Sequence, residues 1–86
     1  MNDQEKHQYC TNKFIKLANE LGKEGIDMPL VSGSLMTASG VYATFVGAGN
    51  QGVLEPGGVD KVVEIYRRTL EQTQAAKKEA LKEKNS

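Results

Sequence analysis

Cysteine and histidine occur once each in this 86-residue chain, as Cys10 and His7, and their scarcity closes off several chemistries at once. A lone thiol allows no intramolecular disulfide. No grouping of Cys, His, Asp and Glu has the spacing of a zinc or di-iron site, and the Glu-x-x-His pair of ferritin-like bundles is missing because Gln4 stands three residues before His7. The residues therefore predict no metal and no other cofactor. The first residues also lack the basic start and continuous apolar run of a secretory signal, which together with the single cysteine predicts a cytoplasmic setting. Neither sign of charge is in excess, since eleven Lys and Arg balance eleven Asp and Glu. The chain is not expanded by self-repulsion.

Large hydrophobes are also few: Leu, Ile, Val and Phe number 19 of 86 residues, just above the roughly one-fifth share below which chains tend to stay disordered. A domain of this size buries only about 60% of the surface its unfolded chain exposes, so its core is thin. Disulfides, a metal or a second subunit commonly complete such a core. With the first two struck out, self-association remains, and the expected partner is a second copy, giving a homodimer, or another protein.

Charge is missing altogether from Met28 to Leu54, 27 consecutive positions in a chain that is 26% charged. A membrane span is the first thing to test. Of the 19 residues from Pro29 to Gly47, eight are Gly, Ser or Thr, whereas a bilayer helix needs about 20 predominantly apolar residues. The stretch is better read as a helix covered by protein on several sides, with no membrane involved. Val31, Leu35, Tyr42, Phe45 and Val46 supply its large side chains. Gly33, Thr37, Gly40 and Thr44 recur at four, three and four, a spacing that lets a neighbouring backbone approach closely. The candidate interaction surface is Gly33, Leu35, Thr37, Gly40, Tyr42 and Thr44.

Flanking this central element, two further helices are predicted from periodicity. Cys10, Phe14, Leu17, Ala18 and Leu21 recur at three and four along the first. Asn2 followed by Glu5 has the form of a capping box, and Gly22 and Gly25 offer the positive φ that ends a helix without steric cost. Asp27 and Pro29 then suit the beginning of the second helix. Val59, Val62, Val63, Tyr66 and Leu70 mark the third helix, with Asp60 and Glu64 near its positive end. Residues 73–86 have helix-forming composition but only Ala75, Ala76, Ala80 and Leu81 to bury, and are expected to project as a polar helical tail. The ordered part is placed at residues 5–72 of a single domain.

Between the second and third helices, GAGNQGVLEPGG holds five glycines in twelve residues, and Gly47, Gly49 and Gly52 spell the G-x-G-x-x-G of dinucleotide folds. That fingerprint works when a buried strand leads into it and a helix starts near its last glycine. The residues before Gly47 have helical period, Pro56-Gly57-Gly58 reads as a break, and Arg67 and Arg68 stand where a ribose-binding acid belongs. The stretch is read as a Gly-rich loop, with Gly47 or Gly49 ending the second helix.

Other constellations weigh against activity. His7 and Cys10 are neighbours on one helix face, but cysteine catalysis needs an oxyanion site and an orienter that the sequence does not supply; the simpler reading makes Cys10 a small buried hydrophobe and His7 an exposed polar residue. Arg67, Arg68, Lys77, Lys78, Lys82 and Lys84 are interleaved with Glu64, Glu71, Glu79 and Glu83, the pattern of a solvated helix face, so no nucleic acid is expected. Tyr9, Tyr42 and Tyr66 fall one on each helix, as residues at the margin of a core.

In sequence order, FIKLANEL, VSGSLMTASGVYATFVGAG and VVEIYRRTLEQ, from Tyr9 to Gln72, resemble the short bacterial proteins grouped as domain of unknown function 3144. The resemblance implies a small all-helical bacterial protein, and it supplies no activity or site residues. This chain departs from the pattern at Gly33, Gly40, Gly47 and Gly49. The expectation is an all-α domain of three antiparallel helices with the uncharged helix in the middle. Its expected role is a non-catalytic interaction or self-association module, with a small-molecule or enzymatic site between helices, near Tyr42, Tyr66 and Cys10, as the alternative.

Overall fold

A computed structural model describes residues 1–48 and 55–85. The described residues form three helices, α1 (Asp3–Lys23), α2 (Met28–Ala48) and α3 (Pro56–Asn85), and no strand. The all-α, three-helix architecture is therefore the one its periodicities dictate.

Both ends of α1 and the starts of α2 and α3 follow from their local chemistry. At the start of α1 the Asn2 side chain accepts the Glu5 backbone N–H at 2.8 Å, and the Glu5 carboxylate accepts the Asn2 N–H at 3.3 Å. This is the reciprocal capping box the sequence predicts; it satisfies two amides that have no intrahelical partner. At the other end the Gly25 N–H donates to the Gly22 carbonyl at 3.0 Å and the Ile26 N–H to the Leu21 carbonyl at 3.4 Å. That pair of bonds is a Schellman motif, and it requires the left-handed backbone that Gly25 adopts, with φ of 94°. Of the two glycines expected to end α1, Gly25 does so, while Gly22 lies inside the last turn.

The chain enters α2 through Asp27, whose carbonyl accepts from Leu30 and Val31 at 3.0 and 3.1 Å, with Pro29 in the first turn. In α3, Pro56 is the first helical residue, and the Glu55 carbonyl accepts from Gly58 and Val59 at 2.8 and 3.1 Å. Pro56-Gly57-Gly58 does not break the chain; it is the first turn of a helix, where a missing proline N–H costs nothing and the fixed φ is already helical. Both ends of the expected loop are helical, since Gly47 and Ala48 belong to α2 and Pro56 to Gly58 to α3, and Gly49 to Leu54 lie outside the described residues. The polar segment from Thr73 continues α3 without interruption to Asn85.

Within α2 the chain divides into two units, Met1–Tyr42 and Ala43–Ser86. In the first, Thr11, Ala18, Leu21 and Val31 are half-buried; in the second, Ala43, Thr44, Gly58 and Val62 are. No described residue is buried. The covering of α2 by protein on several sides is thus not supplied by the described residues, since Tyr42 is 71% exposed and Val46 74%. Cys10, expected to be buried, is also exposed.

Two glycine substitutions separate conformation from space. Gly25→Ala places a Cβ in a left-handed backbone and should destabilise the chain by about 1–2 kcal/mol. Gly40→Ala, where a Cβ meets nothing within 4 Å, should stabilise α2 by roughly 0.8–1 kcal/mol. Urea unfolding followed by circular dichroism at low protein concentration reads both, and equal signs for the two would contradict the assigned helix end.

A candidate interaction surface on the second helix

Because α2 is a continuous α-helix from Met28 to Ala48, its side chains are placed around the axis by the helical repeat of about 100° per residue. Gly33, Thr37, Gly40 and Thr44 fall within an arc of roughly 60°. Leu35 and Tyr42 lie on the opposite side, together with Val31 and Val46, with Phe45 at that side's edge. The six candidate residues therefore belong to two faces, and one flat partner cannot take both. That separation was already written in the residue numbers, because seven positions amount to two turns and keep Leu35 with Tyr42, while Leu35 lies two residues from Gly33.

The small-residue side is more apolar than its composition implies. The Thr37 hydroxyl donates back to the Gly33 carbonyl, four residues earlier, at 3.0 Å. Its polar group is thereby satisfied within the helix, leaving the methyl group to present outward. A Cβ added at Gly33 or Gly40 would meet nothing within 4 Å, so no side chain of the described residues occupies the space beside them. Thr44, the last of the four, lies in the second unit and is half-buried. On the opposite side Phe45, at 59% exposure, and Tyr42 and Val46 present large apolar area to solvent. Apolar residues on both sides leave α2 without the one-sided amphipathicity of α1 and α3.

Residues considered for chemistry lie on separate elements. Cys10 is a free, exposed thiol, and the exposed His7 uses its carbonyl to accept the Thr11 hydroxyl at 2.8 Å. Tyr42 belongs to the first unit and Tyr66 to the second. Tyr9 carries the Lys13 ammonium over its ring at 5.0 Å, a neighbouring-turn contact within α1. Two shallow depressions, one beside Leu70 and Gln74 and the other beside Val63 and Tyr66, are lined by α3 alone. Among the described residues no three His, Cys, Asp or Glu side chains are grouped as metal ligands, and no helix is long and apolar enough to cross a membrane. Glu64 pairs with Arg67 at 3.8 Å and with Arg68 at 3.9 Å, the latter the four-residue helix pair read from the sequence.

No protein-family model, curated protein or solved structure matches the chain.

For the Gly-rich stretch, the element leading into Gly47 is a helix where a dinucleotide fold has a strand. Titration calorimetry with NAD and with ATP should accordingly detect no binding. Micromolar affinity abolished by Gly49→Val would contradict this reading.

Proposed function

We propose that this chain is a non-catalytic module that works by associating with itself, a bacterial cytoplasmic protein of the kind it resembles. The observation that carries the reading is the state of its apolar side chains. Phe14 and Leu17 on α1, Tyr42 and Phe45 on α2, and Val63 and Leu70 on α3 are all more than half exposed. Full burial of a Leu, Val or Phe side chain contributes about 1.5–3 kcal/mol, and a native domain is stable by only about 5–15 kcal/mol in total. A few such residues buried against a second copy decide whether the chain is ordered at working concentration. Apolar helix faces favour a protein partner over a small ligand, which is held in a concave site with a few convergent polar groups.

Sedimentation equilibrium from micromolar to hundreds of micromolar tests the proposal, with a dimer or higher assembly expected. The two sides of α2 are distinguished by Gly40→Leu and Tyr42→Ser. The first adds bulk to open space and improves helix propensity, so weakened association with retained helix content locates the contact on the small-residue side. Weakening by Tyr42→Ser alone locates it on the other. A wild-type chain that stays monomeric throughout overturns the proposal.

A further inference from the structure

The apolar stripe of α3 and the charges along its border are arranged for pairing with the same helix of a second copy. In the continuous helix from Pro56 to Asn85, Val59, Val62, Val63, Tyr66 and Leu70 share one stripe. The helical repeat carries the same stripe on through Thr73, Lys77, Ala80 and Leu81. Its first half is bulky, and its second half mixes the small Thr73 and Ala80 with Lys77 and Leu81. Val59, Val63, Tyr66 and Leu70 are each about half exposed, so this face is available within the second unit.

Charge decides how two such stripes can meet. Asp60, Arg67, Glu71 and Lys78 lie along a single border of the stripe, within an arc of roughly 40°. The opposite border carries the uncharged Ile65, Thr69, Gln72 and Ala76, and Glu83 only near the end of the helix. In an antiparallel pair, like borders face each other; in a parallel pair, opposite borders do. With the two-fold axis beside Thr69, the antiparallel register sets Asp60 against Lys78 of the second copy and Arg67 against Glu71 of the second copy. Symmetry repeats both contacts. The same register packs Tyr66 near Thr73 of the second copy, Val62 near its Ala76, and Lys77 near its Val63, so two bulky side chains meet small ones and Lys77 lies against Val rather than against its own copy. A parallel pair instead leaves Asp60, Arg67 and Glu71 facing uncharged residues, matches only Lys78 with Glu83 of the second copy, and sets Lys77 beside its own copy in the middle of the seam. Arg67 is free to take this partner, since its contact with Glu64 is long, at 3.8 Å, and both side chains are more than half exposed.

We infer that α3 is an antiparallel self-pairing helix whose border charges Asp60, Arg67, Glu71 and Lys78 fix orientation and register with a second copy of this chain. The inference rests on the self-association proposed above and names a contact that reading does not contain. It also gives the polar segment beyond Gln72 a partner, the bulky first half of the opposing α3.

The test uses Arg67→Glu and Glu71→Arg in the full chain, first separately and then mixed in equal amounts, by sedimentation equilibrium with helix content followed by circular dichroism. Each variant alone sets like charges across both symmetric contacts, and its dimer should weaken by about tenfold or more. The mixture should restore a heterodimer to within a few-fold of wild-type affinity, because each chain then supplies the charge the other lacks. Mixing changes nothing inside either helix, so the rescue reports contact between copies. The double variant carrying both substitutions in one chain should pair as wild type does. A wild type that dimerises while the single variants match it, or a mixture no tighter than either variant alone, overturns the α3 pairing and leaves self-association through another face. A monomeric wild type overturns both.

Discussion

Ordering the backbone of one residue costs about 1–2 kcal/mol, and the chief offset in any small domain is apolar area withdrawn from water. In this chain that offset is left at the surface: no described residue is buried. The helices satisfy their own backbone hydrogen bonds and α1 is capped at both ends, but capping boxes and Schellman motifs contribute on the order of 1 kcal/mol each. Local hydrogen bonding of that size does not hold three helices in order by itself. The account of this protein therefore turns on what covers its apolar faces.

Seen this way, the three helices play different parts. One-sided stripes on α1 and α3 resemble those of ordinary bundle helices, half covered and waiting for a second layer. α2 is sided by size instead, with Gly33, Thr37 and Gly40 on one side and Leu35 and Tyr42 on the other, and the Thr37 hydroxyl folded back onto the Gly33 carbonyl removes a polar group that would otherwise prefer water. Neutral overall charge fits the same picture, because copies with no net charge do not repel one another. Charge is then free to act locally, as it does along one border of α3.

Features that depend on a few neighbouring residues were legible in the sequence. The Asn2–Glu5 capping box, the glycine at the end of α1, Pro29 in the first turn of α2 and the Glu64–Arg68 pair all depend on spacings of four or less, and each stands where the residues place it. Proline and glycine after the Gly-rich stretch misled for a physical reason: the same residues that break a helix interior are well suited to its first turn, and only the position of the preceding element decides between the two. Burial was the other point the sequence could not settle. A stripe at helical period shows which side chains need cover, but not whether the cover comes from the same chain, which is why Cys10 and the large residues of α2 were expected inside and stand exposed. For the candidate surface, the division into two faces follows from the residue numbers once the helical repeat runs unbroken across Met28–Ala48.

If order in this chain depends on burial between copies, its stability must depend on protein concentration, since a folded state that is an assembly is favoured by mass action. Thermal unfolding followed by circular dichroism from micromolar to hundreds of micromolar chain measures that dependence directly. The account predicts a midpoint that climbs steadily with concentration. A sharp transition at one fixed temperature across the whole range would show that the helices satisfy one another within a single chain, and would contradict it.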